Sequence, residues 1–223
     1  MLTADLHLHS FYSQDSCNGI AWMIRRCRKV GLNCVACTDH NTTQGAFELM
    51  RKAPFRVIVG EEVDTGQGEI IGLFLSKEIT PNLGIVKTVN EIKTQQGLVY
   101  IPHPTSSSRK SQLCVDELMR VQGLVDIVET FNPRTLRERP DRNWLESLLS
   151  SGRIIRGAGS DSHSPYELGN VLISMDDFAS PEGFLNSLST ARFSCKRSPH
   201  WMRVLMNRKT RSILRRTLWK MPS

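Results

Sequence analysis

Two histidines stand one residue apart at the end of the apolar run that opens the chain, DLHLHS. Side chains alternate between the two faces of a strand, so His7 and His9 would share a face with Asp5, while Leu6 and Leu8 would point the other way. With a rise of about 3.3 Å per residue, the two histidines would stand about 7 Å apart at their Cα atoms. Such a pair can supply two ligands to one metal ion, although the same spacing also occurs in histidines that only make hydrogen bonds. The pair indicates a metal site if further ligands lie beside it.

Metal-capable side chains also follow several later apolar stretches. They are Asp39 and His40 in CTDHNT, Glu61 and Glu62 in VGEEVD, His103 in YIPHP, Glu129 in IVETFN, and Asp161 and His163 in GSDSH. In parallel α/β folds the loops at the carboxyl ends of the strands converge on one face, and functional groups collect there. Five of the six histidines would then meet among carboxylates, and we expect them to form a metal cluster. The sixth, His200, is expected to be structural or exposed.

The elements that must position these side chains can be read from the alternation of apolar segments. Seven strand-like segments cover residues 3–9, 34–39, 55–63, 69–75, 98–103, 125–130 and 153–160. Amphipathic helical segments lie between several of them, at 19–31, 45–53, 84–96 and 142–152. Strand–helix–strand repetition predicts parallel strands with crossover helices, and the TGQG turn at 65–68 predicts one antiparallel hairpin. The predicted fold is an α/β barrel or a barrel-like α/β sheet.

The composition is that of an ordinary globular protein. The chain has 223 residues, of which 39% are apolar and 23% charged, and this size favours one domain with a sizeable core. No apolar run approaches the roughly 18 residues that span a bilayer, and no signal peptide is recognisable. We therefore expect a cytoplasmic protein without a transmembrane segment. Cys34 and Cys37 have CxxC spacing, but they lie in a predicted buried strand and no second CxxC exists, so core packing is favoured over a zinc or redox pair.

The positive charge is concentrated at the C-terminus. The formal net charge is +7, yet no acidic residue follows Glu182, whereas ten Lys and Arg residues do. We expect a barrel over residues 1–198 and a basic tail over 199–223. With Trp201 and Trp219, this tail can contact nucleic acid, lie on an anionic membrane surface or cover the acidic body of the same molecule.

Four motifs together resemble the PHP superfamily, named for polymerase and histidinol phosphatase. DLHLHS, TDHNT, IPHP and GSDSH match its four motifs in order over about residues 3–175. The resemblance implies an α/β fold, a distorted (β/α)7 barrel, here with a short basic C-terminal extension. It also implies two or three divalent metal ions, Mn²⁺, Zn²⁺ or Fe²⁺, at the carboxyl end of the barrel.

The resemblance further implies which residues hold the metals. The first metal would be held by His7, His9, Glu62 and Asp161. Glu62, preferred over Glu61 because it stands two residues after Gly60, would bridge to a second metal held by His103 and a further residue, for which the chain offers Glu129. The third metal would be held by Asp15, His40 and His163. His7, His9, Asp161 and His163 are the expected catalytic residues.

Such a cluster indicates hydrolysis of a phosphate ester. Divalent cations lower the pKa of bound water towards about 7, so that a metal-bound hydroxide can attack phosphorus without a serine or cysteine nucleophile. Arg134, in ETFNPRT, and Arg109, in TSSSRKS, are candidates to bind the substrate phosphate. Asp39, Glu61 and Asn132 are candidates to orient metal-binding imidazoles.

The favoured substrate is a nucleotide or a small phosphorylated metabolite. One alternative is a nuclease that acts on DNA or RNA and grips the strand with the basic tail. A further alternative is a non-catalytic, metal-stabilised binding module, but each expected ligand position carries a competent side chain, which argues against it.

Overall fold

The structure is a computed structural model, and it describes residues 1–106, 113, 115–135, 143–150, 152–197 and 213. Arg109 and nearly all of the basic tail at 199–223, including His200, Trp201 and Trp219, lie outside these residues. Within them the strands are β1 Leu2–Leu8, β2 Cys34–Cys37, β3 Arg56–Asp64, β4 Glu69–Leu73, β5 Leu98–Ile101, β6 Ile127–Phe131, β7 Ile155–Ala158, β8 Val171–Met175 and β9 Arg192–Cys195. The helices are α1 Ile20–Val30, α2 Gln44–Lys52, α3 Ile85–Thr94, α4 Val115–Val121, α5 Asn143–Ser150 and α6 Pro181–Ser189.

The helices form where apolar residues recur at helical spacing and a suitable residue ends them. Helix α1 buries Ile20, Met23 and Cys27, which lie three and four residues apart and so share one face. Gly31 ends the helix with a left-handed φ of 81°, a conformation that costs glycine little, and its N–H bonds the carbonyl of Arg28. None of the helices within the described residues has the length and hydropathy needed to cross a bilayer.

The strands form one mixed sheet in the order β7-β6-β5-β4-β3-β2-β1-β8-β9. The pairs β1–β2, β2–β3, β5–β6 and β6–β7 are parallel, whereas β4 is antiparallel to both of its neighbours. The seven predicted strands and the predicted hairpin at 65–68 are therefore confirmed. Strands β8 and β9, which pair antiparallel beside β1, were not predicted.

The segment after β7 nearly closes the sheet into a barrel. The backbone N–H of Asp161 donates to the carbonyl of His7 at 2.7 Å, and the N–H of His9 donates to the carbonyl of Ser162 at 2.9 Å. A parallel bridge joins Leu8 to Ser162. This closure confirms the predicted barrel and brings the end of β7 against the end of β1, where the metal cluster was expected.

Two apolar clusters lie on opposite faces of the sheet. The inner cluster contains Ala4, Ile71 and Tyr100, and the outer cluster packs the sheet against the helices through residues such as Leu49 and Val89. The CxxC cysteines divide between them. Cys34 lies in the inner cluster, Cys37 lies in the outer one, and both are free thiols, so the predicted core role is confirmed.

A β-bulge interrupts β1 between Asp5 and Leu8, the stretch that contains His7. Asp5 and Leu8 of β1 are register partners of Val35 and Cys37 of β2, so β1 contains one extra residue between them. As a result, Leu6 packs in the inner cluster and Leu8 in the outer one. The prediction that these two leucines point to the same face is wrong, because a bulge breaks the alternation of side chains.

Candidate metal centre

The carboxylate of Glu62, near the end of β3, is the centre of the site. Its Oε2 lies 3.4 Å from Nε2 of His7, 3.3 Å from Nε2 of His9 and 3.2 Å from Nδ1 of His40. This oxygen is buried and accepts no hydrogen bond from any described residue. The two Nε2 atoms of His7 and His9 are themselves 3.1 Å apart. The Nε2 atoms of His7 and His9 and an oxygen of Glu62 therefore lie close enough together to hold one ion, and Nδ1 of His40 contacts the same carboxylate.

This convergence fits a divalent cation. In a tetrahedral site with metal–nitrogen distances of about 2.0–2.1 Å, ligand nitrogens lie roughly 3.4 Å apart, close to the separations around Glu62. Imidazole nitrogen and carboxylate oxygen are the donors that zinc, manganese and iron accept. Burial alone would raise the pKa of Glu62, but the imidazoles of His7 and His40 outweigh it and hold that pKa well below its usual value. The carboxylate is thus kept ionised, as a ligand must be.

A second group of metal-capable side chains lies on the other side of Glu62. Its Oε1 lies 3.1 Å from Nε2 of His103. Glu69, the first residue of β4, places Oε2 at 3.5 Å from the same nitrogen and Oε1 at 3.8 Å from Nδ1 of His40. The oxygen and nitrogen atoms of His40, Glu62 and Glu69 lie close enough together to hold one ion.

Sequence reasoning missed Glu69, although the predicted hairpin contains the signal for it. In the β3–β4 pairing, Glu62 is the register partner of Ile71, and Asp64 is the partner of Glu69. Glu62 and Asp64 lie on one face of β3, so Glu69 must lie on that same face of the sheet. The register of the turn was the information needed.

A third group lies around Asp15. Its Oδ2 is 3.0 Å from Nε2 of His163, and its Oδ1 is 3.8 Å from Nε2 of His40. Burial tends to raise the pKa of Asp15, but the hydrogen bond and charge of His163 hold it far below its usual value. The rings of His163 and His9 lie 4.2 Å apart at their centroids, so this group adjoins the first.

Asp161 connects the first and third groups. Its Oδ1 lies 3.5 Å from Nε2 of His9, 3.8 Å from Nε2 of His7 and 3.3 Å from Nδ1 of His163. Asp161 has a left-handed φ of 51°, which is uncommon outside glycine and is found at functional sites where the surroundings enforce it. The hydrogen bond from its N–H to His7 helps to hold this conformation.

Glu129 contacts this site differently from the other candidates. Its Oε1 lies 3.0 Å from Nδ1 of His7 and accepts a hydrogen bond from the Tyr100 hydroxyl at 2.8 Å. Its Oε2 accepts from the backbone N–H of His103 at 2.7 Å and from the Asn132 amide at 2.9 Å. Both oxygens are thus occupied by donors, and the contact with Nδ1 leaves Nε2 of His7 to face Glu62.

Ser13 orients the ring of His9 as Glu129 orients that of His7. Sequence reasoning missed this serine. Nδ1 of His9 lies 3.1 Å from Oγ of Ser13, which donates to Oδ1 of Asp39 at 2.8 Å and accepts from the backbone N–H of His40 at 3.0 Å. Because the hydroxyl proton goes to Asp39, Nδ1 of His9 is the donor in this contact. The expected orienting role of Asp39 is therefore supported through Ser13 rather than by direct contact.

Of the remaining candidates, Arg134 and Asn132 contact Asp161, whereas Glu61 does not face the centre. Arg134 donates from a guanidinium nitrogen to the carbonyl of Asp161 at 3.1 Å and lies 3.7 Å from Oε1 of Glu167. Asn132 donates to Oδ2 of Asp161 at 3.2 Å as well as to Glu129. Glu61 points away from Glu62, as neighbours in a strand do, and its carboxylate accepts from the backbone N–H of Ile79 at 2.8 Å.

The chain is similar in sequence to a known protein family and to two archaeal proteins. The family model described as the PHP domain matches residues 5–168. One uncharacterized protein of Methanocaldococcus jannaschii is 32% identical over 197 residues, which cover 84% of this chain and 79% of that protein. A second from the same organism is 36% identical over 144 residues, covering 59% of this chain and 82% of that protein.

Solved structures share the fold at low identity. A two-domain protein of Bacteroides vulgatus, described as containing a predicted PHP-like metal-dependent phosphoesterase, superposes with a TM-score of 0.68 at 16% identity. The match covers 87% of this chain, which spans only 65% of that larger protein. PsfC from Pseudomonas syringae matches with a TM-score of 0.64 at 15% identity over 97% of this chain and 98% of its own.

Proposed function

The chain belongs to the PHP domain family, and from this premise we propose that it is a metal-dependent phosphoesterase that hydrolyses a nucleotide or a small phosphorylated metabolite. The observation that carries the proposal is the buried Oε2 of Glu62, which lies within 3.4 Å of three imidazole nitrogens and accepts no hydrogen bond from any described residue. A buried carboxylate oxygen in such surroundings is stabilised by a cation that it shares with the imidazoles.

Two or three divalent ions, Mn²⁺, Zn²⁺ or Fe²⁺, fit the donors present. We assign the first to His7, His9, Glu62 and Asp161, and the third to Asp15, His40 and His163. For the second we assign Glu62, His103 and Glu69. Glu69 takes the place expected for Glu129, because its oxygens face His103 and His40 whereas those of Glu129 are engaged by four donors.

The ions would supply Lewis acidity, which lowers the pKa of bound water and offsets the charge that builds on a phosphate during hydrolysis. The chain itself contributes orientation. Glu129 and Ser13 hold the rings of His7 and His9 so that both Nε2 atoms face Glu62. Loss of such an orienting contact by mutation typically lowers metal affinity or activity by about 10- to 100-fold.

Arg134 is the proposed phosphate-binding residue. It is partly exposed, and its guanidinium is held beside the centre by the carbonyl of Asp161 and by Glu167. A guanidinium fixed in this way can donate two hydrogen bonds to phosphate oxygens. Arg109, which lies outside the described residues, is proposed as a second phosphate-binding residue because it follows His103 in the segment TSSSRKS.

The proposal extends to the division of the chain and to its location. We propose that residues 1–198 form the catalytic barrel and that 199–223 form an appended basic tail. The five cysteines within the described residues are free thiols, which supports a reducing, cytoplasmic environment. The nuclease alternative depends on the tail and has no support from the described residues.

Metal analysis combined with a substrate panel tests the function. The protein loaded with Mn²⁺ is offered p-nitrophenyl phosphate, nucleotides, histidinol phosphate and single-stranded DNA. We expect two or three bound metal ions per chain and release of inorganic phosphate from monoesters. Shortening of DNA without phosphate release from monoesters would favour the nuclease, and a fully metal-loaded protein without any turnover would favour the binding module.

A further inference from the structure

A cavity of about 690 Å³ opens beside the third ligand group. Asp15 and His40 form the part of its lining that belongs to the proposed metal centre. The rest of the lining consists of residues that follow β1 and β2, namely Tyr12, Gln14, Asn41, Thr42 and Gln44. Its volume lies within the roughly 300–1,000 Å³ that small-molecule sites occupy. A molecule in this cavity therefore touches the centre at one end.

Tyr12 offers a fixed aromatic surface in the cavity. The residue lines the cavity and is 40% exposed, so its aromatic ring is not covered by the rest of the described protein. The hydroxyl donates to Oε2 of Glu48 at 2.7 Å, and Oε1 of Glu48 pairs with Nζ of Lys52 at 2.6 Å. These contacts anchor the far end of the ring to helix α2. The ring is thus held in place before any ligand binds.

The lining carries hydrogen-bonding groups but no cation. Gln14, Asn41, Thr42 and Gln44 contribute amides and a hydroxyl, and none of the lining residues, all of which the structure describes, is lysine or arginine. Arg134, which contacts Asp161, does not line the cavity. Phosphate groups of a substrate need cations, so this cavity suits an uncharged part of the molecule.

This inference rests on the proposed phosphoesterase function. We propose that the cavity binds the uncharged organic group of a phosphomonoester, that this group contains a planar ring, and that the ring packs on Tyr12 while the phosphate faces the metal centre. Amide and hydroxyl groups of the lining would hydrogen-bond the polar edges of the ring. A nucleoside monophosphate has this chemistry, and so does an aryl phosphate with polar substituents. A polynucleotide does not, because it would bring further phosphates into a lining without cations.

Binding of phosphonate analogues, which cannot be hydrolysed, tests the cavity independently of turnover. Isothermal titration of the Mn²⁺-loaded protein compares a nucleoside phosphonate, a phenyl phosphonate and a ribose phosphonate, the last of which has no planar ring. Stacking of one base on an aromatic side chain corresponds to about 5- to 150-fold in affinity. We expect Tyr12→Ala to weaken binding of the two ring-bearing analogues by this factor and to change ribose phosphonate by less than about twofold.

Two further variants isolate the ring. Tyr12→Phe removes only the hydrogen bond to Glu48 and should retain most of the ring-dependent affinity. Phe193→Ala removes an aromatic side chain of the same 40% exposure from β9, outside the cavity, and should change none of the three affinities. Thermal melting of each variant confirms that it is folded.

The outcomes separate this inference from the proposed function. Equal weakening of all three analogues by Tyr12→Ala, or no weakening, would overturn the cavity assignment even if phosphate esters are hydrolysed. Ring-dependent binding that is lost in Tyr12→Ala supports the cavity assignment, even if no ester is hydrolysed and the catalytic proposal fails. Preference of the nucleoside over the phenyl analogue identifies a nucleoside as the ring-bearing group.

Discussion

Glu129 lies 3.0 Å from Nδ1 of His7, although 122 positions separate the two residues in the chain. The contact joins β6 to β1 across the barrel and leaves Nε2 of His7 to face Glu62. A residue that sequence reasoning placed among the ligands is therefore proposed to orient one.

Replacing Glu129 with glutamine should weaken metal binding without abolishing it. Glutamine keeps one acceptor but presents an amide donor to groups that are themselves donors, so His7 loses part of its orientation. We expect Mn²⁺ affinity to fall about 10- to 100-fold, measured by competition with a chelator. Glu146→Gln, on the exposed side of α5, is the matched control. Loss of one metal ion at saturating Mn²⁺ would instead identify Glu129 as a ligand.

Removing the histidine pair should remove metal and activity together. His7→Ala and His9→Ala each delete a nitrogen that lies within 3.4 Å of Glu62. We expect lower metal content by mass spectrometry and a loss of phosphate release of at least about 100-fold, because a missing ligand costs more than a missing orienting contact. His200→Ala is the control histidine. Activity that survives in both cluster variants would refute the ligand assignment.

Glu69→Gln should lower the metal content selectively. Its two oxygens face His103 and His40, so its loss should empty the second site and leave the first and third occupied. Metal analysis of the loaded variant should show about one ion fewer per chain than the wild type. Full metal content, with affinity equal to that of the wild type, would exclude Glu69 from the second site.

Metal should stabilise the fold by binding only to its folded form. At a free concentration 100 times the dissociation constant this adds about 2.7 kcal/mol, and one kcal/mol shifts the melting temperature of a protein of this size by about 2–4 °C. Addition of Mn²⁺ after chelation should therefore raise the melting temperature by about 5–10 °C. The double variant His7→Ala, His9→Ala should show little of this shift. An equal shift in both proteins would indicate a site elsewhere.

The metal-free protein should lose stability as the pH rises from about 6.5 to about 9. Burial tends to lower the pKa of His9, but its contacts with Asp161 and Glu62 outweigh this and raise the pKa to about 9. In this range the folded chain keeps a proton that the unfolded chain has released, so the free energy of unfolding falls with pH. Mn²⁺ affinity should rise over the same range because the proton on His9 competes with the metal. Denaturation in the presence of chelator measures the first effect, and metal titration at each pH measures the second. A free energy of unfolding that stays constant with pH would contradict the assignment.

Deleting residues 199–223 should leave the barrel and its small-substrate activity intact. The described contacts of the centre come from residues before 168, so the truncated chain should hydrolyse small esters within about twofold of the full chain. Aggregation or loss of metal on truncation would show that the tail belongs to the folding unit.

Much of the site could be predicted because strand ends are visible locally. Apolar segments show where strands end, and parallel strands bring those ends together, so His7, His40, His103 and His163 could be placed in one cluster from sequence alone. Glu69 could not be placed in this cluster from sequence alone, because the exact register of the hairpin determines which face of the sheet it occupies. Strands β8 and β9 were both missed: β9 is four residues long and largely exposed, including Phe193, whereas β8, with the sequence VLISM, is mostly apolar and could have been recognised.

By itself, the sequence determined the order of the first seven strands and of four of the six described helices, the antiparallel hairpin and the ends of strands at which metal-capable side chains occur. These features depend on periodicity over a few neighbouring residues. Only the tertiary structure decided which of those side chains face the centre and which orient a neighbouring imidazole. The bulge between Asp5 and Leu8, the contact of Glu129 with His7 and the contact of Ser13 with His9 depend on which distant atoms meet when the barrel closes. A carboxylate becomes a ligand or an orienting acceptor according to the donors that surround it, and the fold brings those donors together.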